Sequence, residues 1–416
     1  MRVLIISYHF PPYNSIGAVR VGKTAKYLTK FGHDVRVVAA RSPDALPTLP
    51  LEIPTAQVIY AGRPHPALPP VELASDTASV PLAISQPGLL HLRSASFGNK
   101  SVSWYPYALR AAERLLRHWQ PEIILASFEP YTTLIVADRL ARKYHLPWVA
   151  DFRDLWVDGH YTAEKYQRHP TQHKLHSWLE RRLLSSARGI VTVSEPWAET
   201  MRAKYPLPVG LVRNGYDPTD IPAIDGGDPR PGLSLVFTGT LLSGNHDVTP
   251  LLLALRQLGP AGREVRVAFY GPKPTVIEAA LATVDGEFAV EIHPRVSYAE
   301  SLALQRQADI LLLLLWKDPN ERGTCFAKFF EYLGARRPIL AIGHGGDVTS
   351  RLLTECQAGL VSNDPTAIAA KLTTWLADKS RHGELADLPP TASTDLTREA
   401  QTRRLEAFLR ERLAGE

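Results

Sequence analysis

The feature that most constrains this chain is a pattern that occurs twice. An apolar strand at residues 3–7 runs into a loop reaching Gly17, a helix continues to Thr29, and a second strand covers residues 34–40. The same order returns near Leu233, with a strand at 234–237, the turn Thr238-Gly239-Thr240, a helix over 249–258, a strand at 265–270 and then Gly271. Short apolar runs bounded by turn residues predict buried strands, and the helical periodicity between them predicts the connecting helices. A strand that feeds a glycine-containing loop and a helix is how a nucleotide-binding Rossmann-like half begins. The fold class predicted is therefore α/β, with two Rossmann-like domains facing across a cleft. The length of 416 residues agrees, because single cores seldom grow beyond about 250–300 residues.

The first domain is expected over residues 1–215. Inside it, residues 43–103 form an irregular excursion with ten prolines between Pro43 and Pro87, which reads as surface loop and not as core. Residues 216–231, rich in Asp, Pro and Gly, are the expected linker. The second domain covers 232–385. Residues 386–416 hold a capped amphipathic helix with Leu405, Phe408 and Leu409 on one face, which must dock and is a candidate to return to the first domain.

With 45% hydrophobic and 21% charged residues, the composition is that of a globular protein. The apolar run in residues 1–10 is too short for a signal peptide, and Pro11 and Pro12 follow at once. The longest apolar run, 310–316, is far below the ~20 residues of a membrane span and suits a buried parallel strand. Cys325 and Cys356, the two cysteines, are expected as reduced thiols in the cytoplasm. The sequence shows no cluster with metal-ligand spacing and no nucleic-acid recognition motif. A formal charge of +5 favours acidic ligands, either phosphates or an anionic membrane surface.

Several residues stand where chemistry is expected. Gly17 opens a helix after a strand, where free amides and the positive end of the dipole suit a phosphate; a plain tight turn is the alternative. Asp151 and Arg153 leave the carboxyl end of a strand, placed to act as base or sugar contact and as phosphate partner, or else to form a local salt bridge. Glu129 lies near another strand end beside Pro130, as a carboxylate for catalysis or as a turn residue. Over residues 323–333 a helix is expected in which Thr324, Lys328 and Glu331 share one face. There Lys328 can pair with a diphosphate and Glu331 can accept from ribose hydroxyls; the alternative is a surface Lys-Glu pair of about 0.2–0.5 kcal/mol.

Taken in order, the Phe10-Pro11-Pro12 loop with Gly17, the run 151–156, Arg213-Asn214-Gly215-Tyr216-Asp217, Phe237-Thr238-Gly239-Thr240 and the 323–333 helix resemble the GT-B glycosyltransferases of the family 4 (group 1, retaining) type. The resemblance covers nearly the whole chain. It implies a nucleotide-sugar donor, UDP-, GDP- or dTDP-linked, on the second domain and an acceptor on the first. It further implies retention of configuration, with no cofactor and no obligatory metal. By position, Glu331 resembles the ribose-binding acid, Lys328 and Gly17 resemble diphosphate contacts, and the Gly239-Thr240 amides resemble phosphate donors. Arg295-Val296 resembles the backbone segment that reads the base. Where the family has a further Glu, this chain has Gly323, so sugar contacts are expected from the backbone around Gly323 and Thr324. Residues 243–247 lack the family's Arg or Lys, and Phe128 stands where many relatives have His.

The function expected from the resemblance is transfer of a sugar to a hydroxyl of an unidentified acceptor, such as a polysaccharide, a lipid-linked intermediate or a secondary metabolite. The alternatives are a nucleotide-sugar epimerase or pseudo-glycosyltransferase on the same fold, or a non-catalytic nucleotide-binding subunit. One segment suggests a peripheral contact with the inner face of an anionic membrane. Over 107–119, Ala108, Ala112, Leu115, Leu116 and Trp119 follow helical spacing while Arg110, Arg114 and Arg117 form a separate stripe. A helix packed on a Rossmann sheet with solvated arginines has the same pattern.

Overall fold

The computed structural model describes residues 1–41, 47–62, 100–159, 166, 168–223, 228, 230–241, 244–272 and 274–415. They form two compact units, Met1–Arg213 with Thr402–Glu416, and Asn214–Gln401.

The first unit is built on seven parallel strands, β1 (Arg2–Ser7), β2 (Asp34–Ala40), β3 (Val58–Ala61), β4 (Ile123–Phe128), β5 (Trp148–Phe152), β6 (Gly189–Thr192) and β7 (Val209–Leu211), in the order β3-β2-β1-β4-β5-β6-β7. Their sequences are apolar on both faces because crossover helices cover a parallel sheet on both sides. These helices are α1 (Ile16–Lys30), α2 (Tyr105–Leu115), α3 (Thr132–Tyr144), α4 (Pro170–Leu184) and α5 (Glu195–Lys204). Val3, Ile5, Leu125, Val149 and Val191 from the strands meet Val21, Ala25 and Leu28 of α1 in one core.

Two expectations change here. Part of the proline-rich excursion is core: β3 pairs with β2, and Ile53 and Val58 join the central cluster. Its four residues are too few to show an alternating pattern between prolines. Within the excursion, residues 43–46 and 63–99 lie outside the described residues. The helix expected over 107–119 is α2, which ends at Leu115, and its apolar face of Ala108, Ala112, Leu115 and Leu116 is buried. Trp119 follows the helix and donates its indole N–H to Asp34 Oδ2 at 2.7 Å. Arg110, Arg114 and Arg117 are exposed. The apolar stripe thus packs inside the unit and is not presented to a bilayer. Among the described residues no helix is long and apolar enough to cross a membrane.

The second unit repeats the winding. Strands β8 (Leu233–Thr238), β9 (Val265–Tyr270), β10 (Ala289–His293), β11 (Ile310–Leu314), β12 (Ile339–Ile342) and β13 (Gly359–Ser362) are parallel, in the order β10-β9-β8-β11-β12-β13. Helices α6 (Thr249–Gln257), α7 (Pro274–Leu281), α8 (Tyr298–Gln307), α9 (Ala327–Ala335), α10 (Val348–Glu355) and α11 (Pro365–His382) connect and flank them. Leu235, Phe237, Val267, Leu312 and Leu340 form the core with Leu251 and Leu255 of α6 and Leu372 of α11. The 216–231 segment falls in this unit, and its described residues include a turn of 3-10 helix, Pro218–Asp220. The last helix, α12 (Arg398–Ala414), sends Leu405 and Leu409 into the first unit's core.

Candidate functional site

Strand order reverses between β1 and β4 in the first unit and between β8 and β11 in the second. At such a switch point the connections leave in opposite directions and open a crevice at the carboxyl ends of the strands, where ligands of open α/β sheets bind.

In the first unit α1 starts at Ile16, with Ser15 as its cap accepting from the Ala18 amide. A β-carbon on Gly17 would sit 2.8 Å from Cζ of Arg153, so the glycine is needed for close approach and not for a tight turn. It lets the guanidinium lie over the first turn of α1. Arg153 Nε donates to Phe128 O at 2.8 Å and Nη2 to Glu129 O at 3.0 Å. Both acceptors are uncharged, which leaves the cation able to serve an anion. Burial, and then the Arg153 charge, push His9 from its ordinary 6.5 down to about 4. His9 is therefore a neutral imidazole near pH 7, at the exit of β1. Nothing in the sequence pattern marked it.

Asp151 does not fit its expected role as base or sugar contact. Its carboxylate accepts from Arg20 Nε at 3.1 Å and Nη2 at 2.8 Å, and from Ser127 Oγ at 3.2 Å, with both partners of the ion pair almost wholly buried. Arg20 also donates to the carbonyls of Val212 and Arg213. Asp151 does form a salt bridge, but with Arg20 of α1, 131 residues away in sequence, and not the local pair with the neighbouring Arg153. Asp151 positions Arg20, and Arg20 holds the chain leaving β7. Glu129 is exposed and reaches Arg153 through its carbonyl. Phe128 stacks on Phe152 and Trp156, and Trp156 lies 4.9 Å from Tyr131 at an interplanar angle of 3°. A charged imidazole at position 128 would break that wall.

In the second unit the main constellation lies between α8, α9 and the end of β8. Lys328 Nζ pairs with Glu331 Oε2 at 2.7 Å. Gln305, fully buried, donates to Glu331 Oε2 at 3.1 Å, to Thr238 Oγ1 at 2.9 Å and to Ser301 Oγ at 3.0 Å. Among the described residues every hydrogen bond to this carboxylate falls on Oε2, so Oε1 is left for another donor. The pair is more than a surface contact, because Gln305 fixes it from within the fold.

Three backbone expectations are corrected. The Gly239 amide donates to Tyr270 O at 2.9 Å and is not open to a phosphate. Gly239 itself has a φ of +148°, which favours glycine. The amides of Gly323 and Thr324 donate to Glu321 Oε1 at 2.9 and 2.7 Å, so they are taken by the chain's own carboxylate. That capture turns residues 323–326 into a loop, α9 begins only at Ala327, and Thr324 does not share the face of Lys328. Glu321 was missed because it lies outside the spacing of the family motif. Residue 243 of the stretch lacking a basic side chain is outside the described residues. Arg295 brings a cation to the same strand exit, donating from Nη2 to Thr240 Oγ1 at 2.9 Å.

Residues 17–215 match the family model described as a glycosyl transferase 4-like domain. No curated protein matches the sequence. Among solved structures, Anabaena Alr3699/HepE in complex with UDP has 13% sequence identity and a TM-score of 0.63, with 99% of this chain and 100% of that chain covered. The lipopolysaccharide outer core galactosyltransferase WaaB in its apo form has 11% identity and a TM-score of 0.57, with 99% of each chain covered. A putative UDP-N-acetylglucosamine 2-epimerase from Listeria monocytogenes has 11% identity and a TM-score of 0.57, covering 100% of this chain and 97% of that one. At such identities the likeness is one of fold, the GT-B architecture of two Rossmann-like domains.

Proposed function

We propose that this chain, a glycosyltransferase by the 4-like domain of residues 17–215 and by its GT-B fold, moves a sugar from a nucleotide-sugar donor to an acceptor hydroxyl with retention of configuration. The observation that carries the reading is the Lys328, Glu331 and Gln305 constellation at the switch point of the second sheet. In this reading Lys328 meets the diphosphate, Glu331 Oε1 accepts from a ribose hydroxyl, and Arg295 supports the charge at the exit of β8. Uridine is the favoured base, since fold neighbours were solved with UDP and UDP-glucose.

Such a reaction needs charge stabilisation on the leaving diphosphate more than it needs a strong nucleophile. The bond between the anomeric carbon and the diphosphate oxygen breaks while the acceptor oxygen bonds on the same face, and its proton passes to the departing phosphate. Arg153, Glu129 and the neutral His9 are the first unit's groups for orienting the acceptor, a growing glycan or lipid-linked intermediate on the cytoplasmic side. The fold shared with a lipopolysaccharide outer core galactosyltransferase supports that acceptor class. Any peripheral membrane contact by α2 rests on Arg110, Arg114 and Arg117 without an inserted apolar face.

The test starts with calorimetric titration of UDP into the wild type and into Lys328→Ala and Glu331→Ala. Each loses charge-assisted hydrogen bonds, so each is expected to bind about tenfold more weakly while melting normally. Near-normal affinity in both defeats the placement. The epimerase-like fold favours a second reading, and UDP-glucose labelled in the sugar separates the two. Label on an added acceptor means transfer, whereas an altered free or nucleotide-bound sugar means epimerisation.

A further inference from the structure

The first unit has a cavity of about 690 Å³ that the proposed reaction does not use. Glu122, Pro147 and Arg188, which line it, directly precede β4, β5 and β6, so it opens at the amino edge of the sheet. Arg153 and His9 sit at the carboxyl edge, separated by the length of β5, about 16 Å at the usual rise per residue. The cavity is lined by three arginines, Arg142, Arg188 and Arg412, together with His145, against one acid, Glu122.

These charges are not equally committed. Arg142 is held by Asp138 at 2.7 Å and donates to Ser185 Oγ at 3.0 Å. Glu122 is engaged by Arg2, both through the Arg2 amide at 2.7 Å and through its side chain. Arg188 is fixed by its amide, which donates to Trp148 O at 2.8 Å, but among the described residues its side chain makes no hydrogen bond or ion pair. Arg412 is pre-formed: its stem crosses Gly189, where a β-carbon would lie 3.2 Å from Cδ, and its guanidinium stands 5.1 Å over the Phe408 ring. Its side chain is 90% buried, and Nε is buried with no hydrogen-bond partner. The pairing it does have, Nη2 to Glu411 Oε2 at 3.2 Å, is with a carboxylate more than half exposed.

The donors left for a ligand are the Arg188 guanidinium and Nη1 of Arg412, which has no acceptor among the described residues. The planar fork of arginine matches phosphate oxygens in pairs. The volume exceeds that of a bare phosphate and falls in the ordinary range of small-molecule sites. We infer that this cavity is a second anion site, which takes the phosphate group of a phosphorylated small molecule or of an anionic lipid headgroup on Arg188 and Arg412. Bound there, the ligand ties the end of α12 to the amino ends of β5 and β6.

Inorganic phosphate is titrated calorimetrically into the full-length wild type, Arg188→Gln and Arg412→Lys. The lysine keeps the stem over Gly189, and the melting temperature without phosphate confirms that each variant folds. Expected is about tenfold weaker phosphate binding in Arg188→Gln, since one charge-assisted contact is lost, and a reduction in Arg412→Lys. Co-sedimentation with vesicles of pure phosphatidylglycerol or pure phosphatidylcholine separates the sources. Binding to phosphatidylglycerol alone, lost in Arg188→Gln, assigns a lipid headgroup, whereas phosphate binding without sedimentation assigns a soluble ligand. Neither phosphate nor phosphatidylglycerol binding in the wild type, or binding of both at wild-type strength in the two variants, overturns the inference.

Discussion

A carboxylate at the end of a central strand can serve chemistry or architecture, and the partners decide which. Asp151 faces a buried arginine on two nitrogens, and a buried ion pair contributes mainly by what its loss would leave behind. Asp151→Asn leaves the Arg20 charge buried without its counter-ion, and is expected to cost about 3 kcal/mol in urea unfolding. The double variant Arg20→Met with Asp151→Leu should recover most of that loss. A single variant of unchanged stability with a large fall in turnover would restore the catalytic assignment. His9 makes the opposite case, a titratable group kept neutral by burial and by Arg153. Its folded value of about 4 lies below its ordinary 6.5, so between these values the unfolded chain binds the proton and the native chain does not. Its contribution is therefore complete above pH 6.5 and declines as pH falls towards 4, by about 3 kcal/mol in all. His9→Gln should flatten the pH dependence of unfolding in that window relative to the wild type. An identical slope in the two proteins would rule out this burial of the imidazole.

At the scale of elements, legibility followed length and periodicity. The β1-α1-β2 and β8-α6-β9 units were readable because fully apolar strands and one-faced helices alternate with glycine-bearing turns. The short β3 was hidden among prolines, and only its pairing with β2 reveals it. The start of α9 was misread for a different reason. Residues 323–326 have helical spacing, yet Glu321 captures two of their amides and Thr349 Oγ1 accepts from the Phe326 amide at 3.2 Å. Side-chain competition for backbone groups of this kind leaves little trace in periodicity. The Lys328-Glu331 face survived the misreading because both residues lie within the true helix. Partners far apart in sequence, such as Arg20 with Asp151 or Gln305 with Glu331, could not be paired without the sheet order that brings them together.

The whole molecule is a chain that winds the same sheet twice and then returns its last helix to the first unit. That return is anchored by size matching: a β-carbon on Gly189 or Gly210 would lie 2.8 or 2.9 Å from the Phe408 ring, so the two glycines leave the space it occupies. Leu405 and Leu409, 2% and 0% exposed, complete the contact within the first unit's core. Residues Thr402–Glu416 are thus part of the first unit's stability although they follow the second unit in sequence. Leu409→Ala removes a fully buried side chain and is expected to cost about 3 kcal/mol. Scanning calorimetry with and without UDP locates the loss, because a ligand raises the unfolding temperature of the unit that binds it. The variant should lower the transition that UDP leaves in place, while the transition raised by UDP stays as in the wild type. A fall confined to the UDP-responsive transition would mean that the helix supports the second unit instead, and that the glycines at 189 and 210 have another purpose.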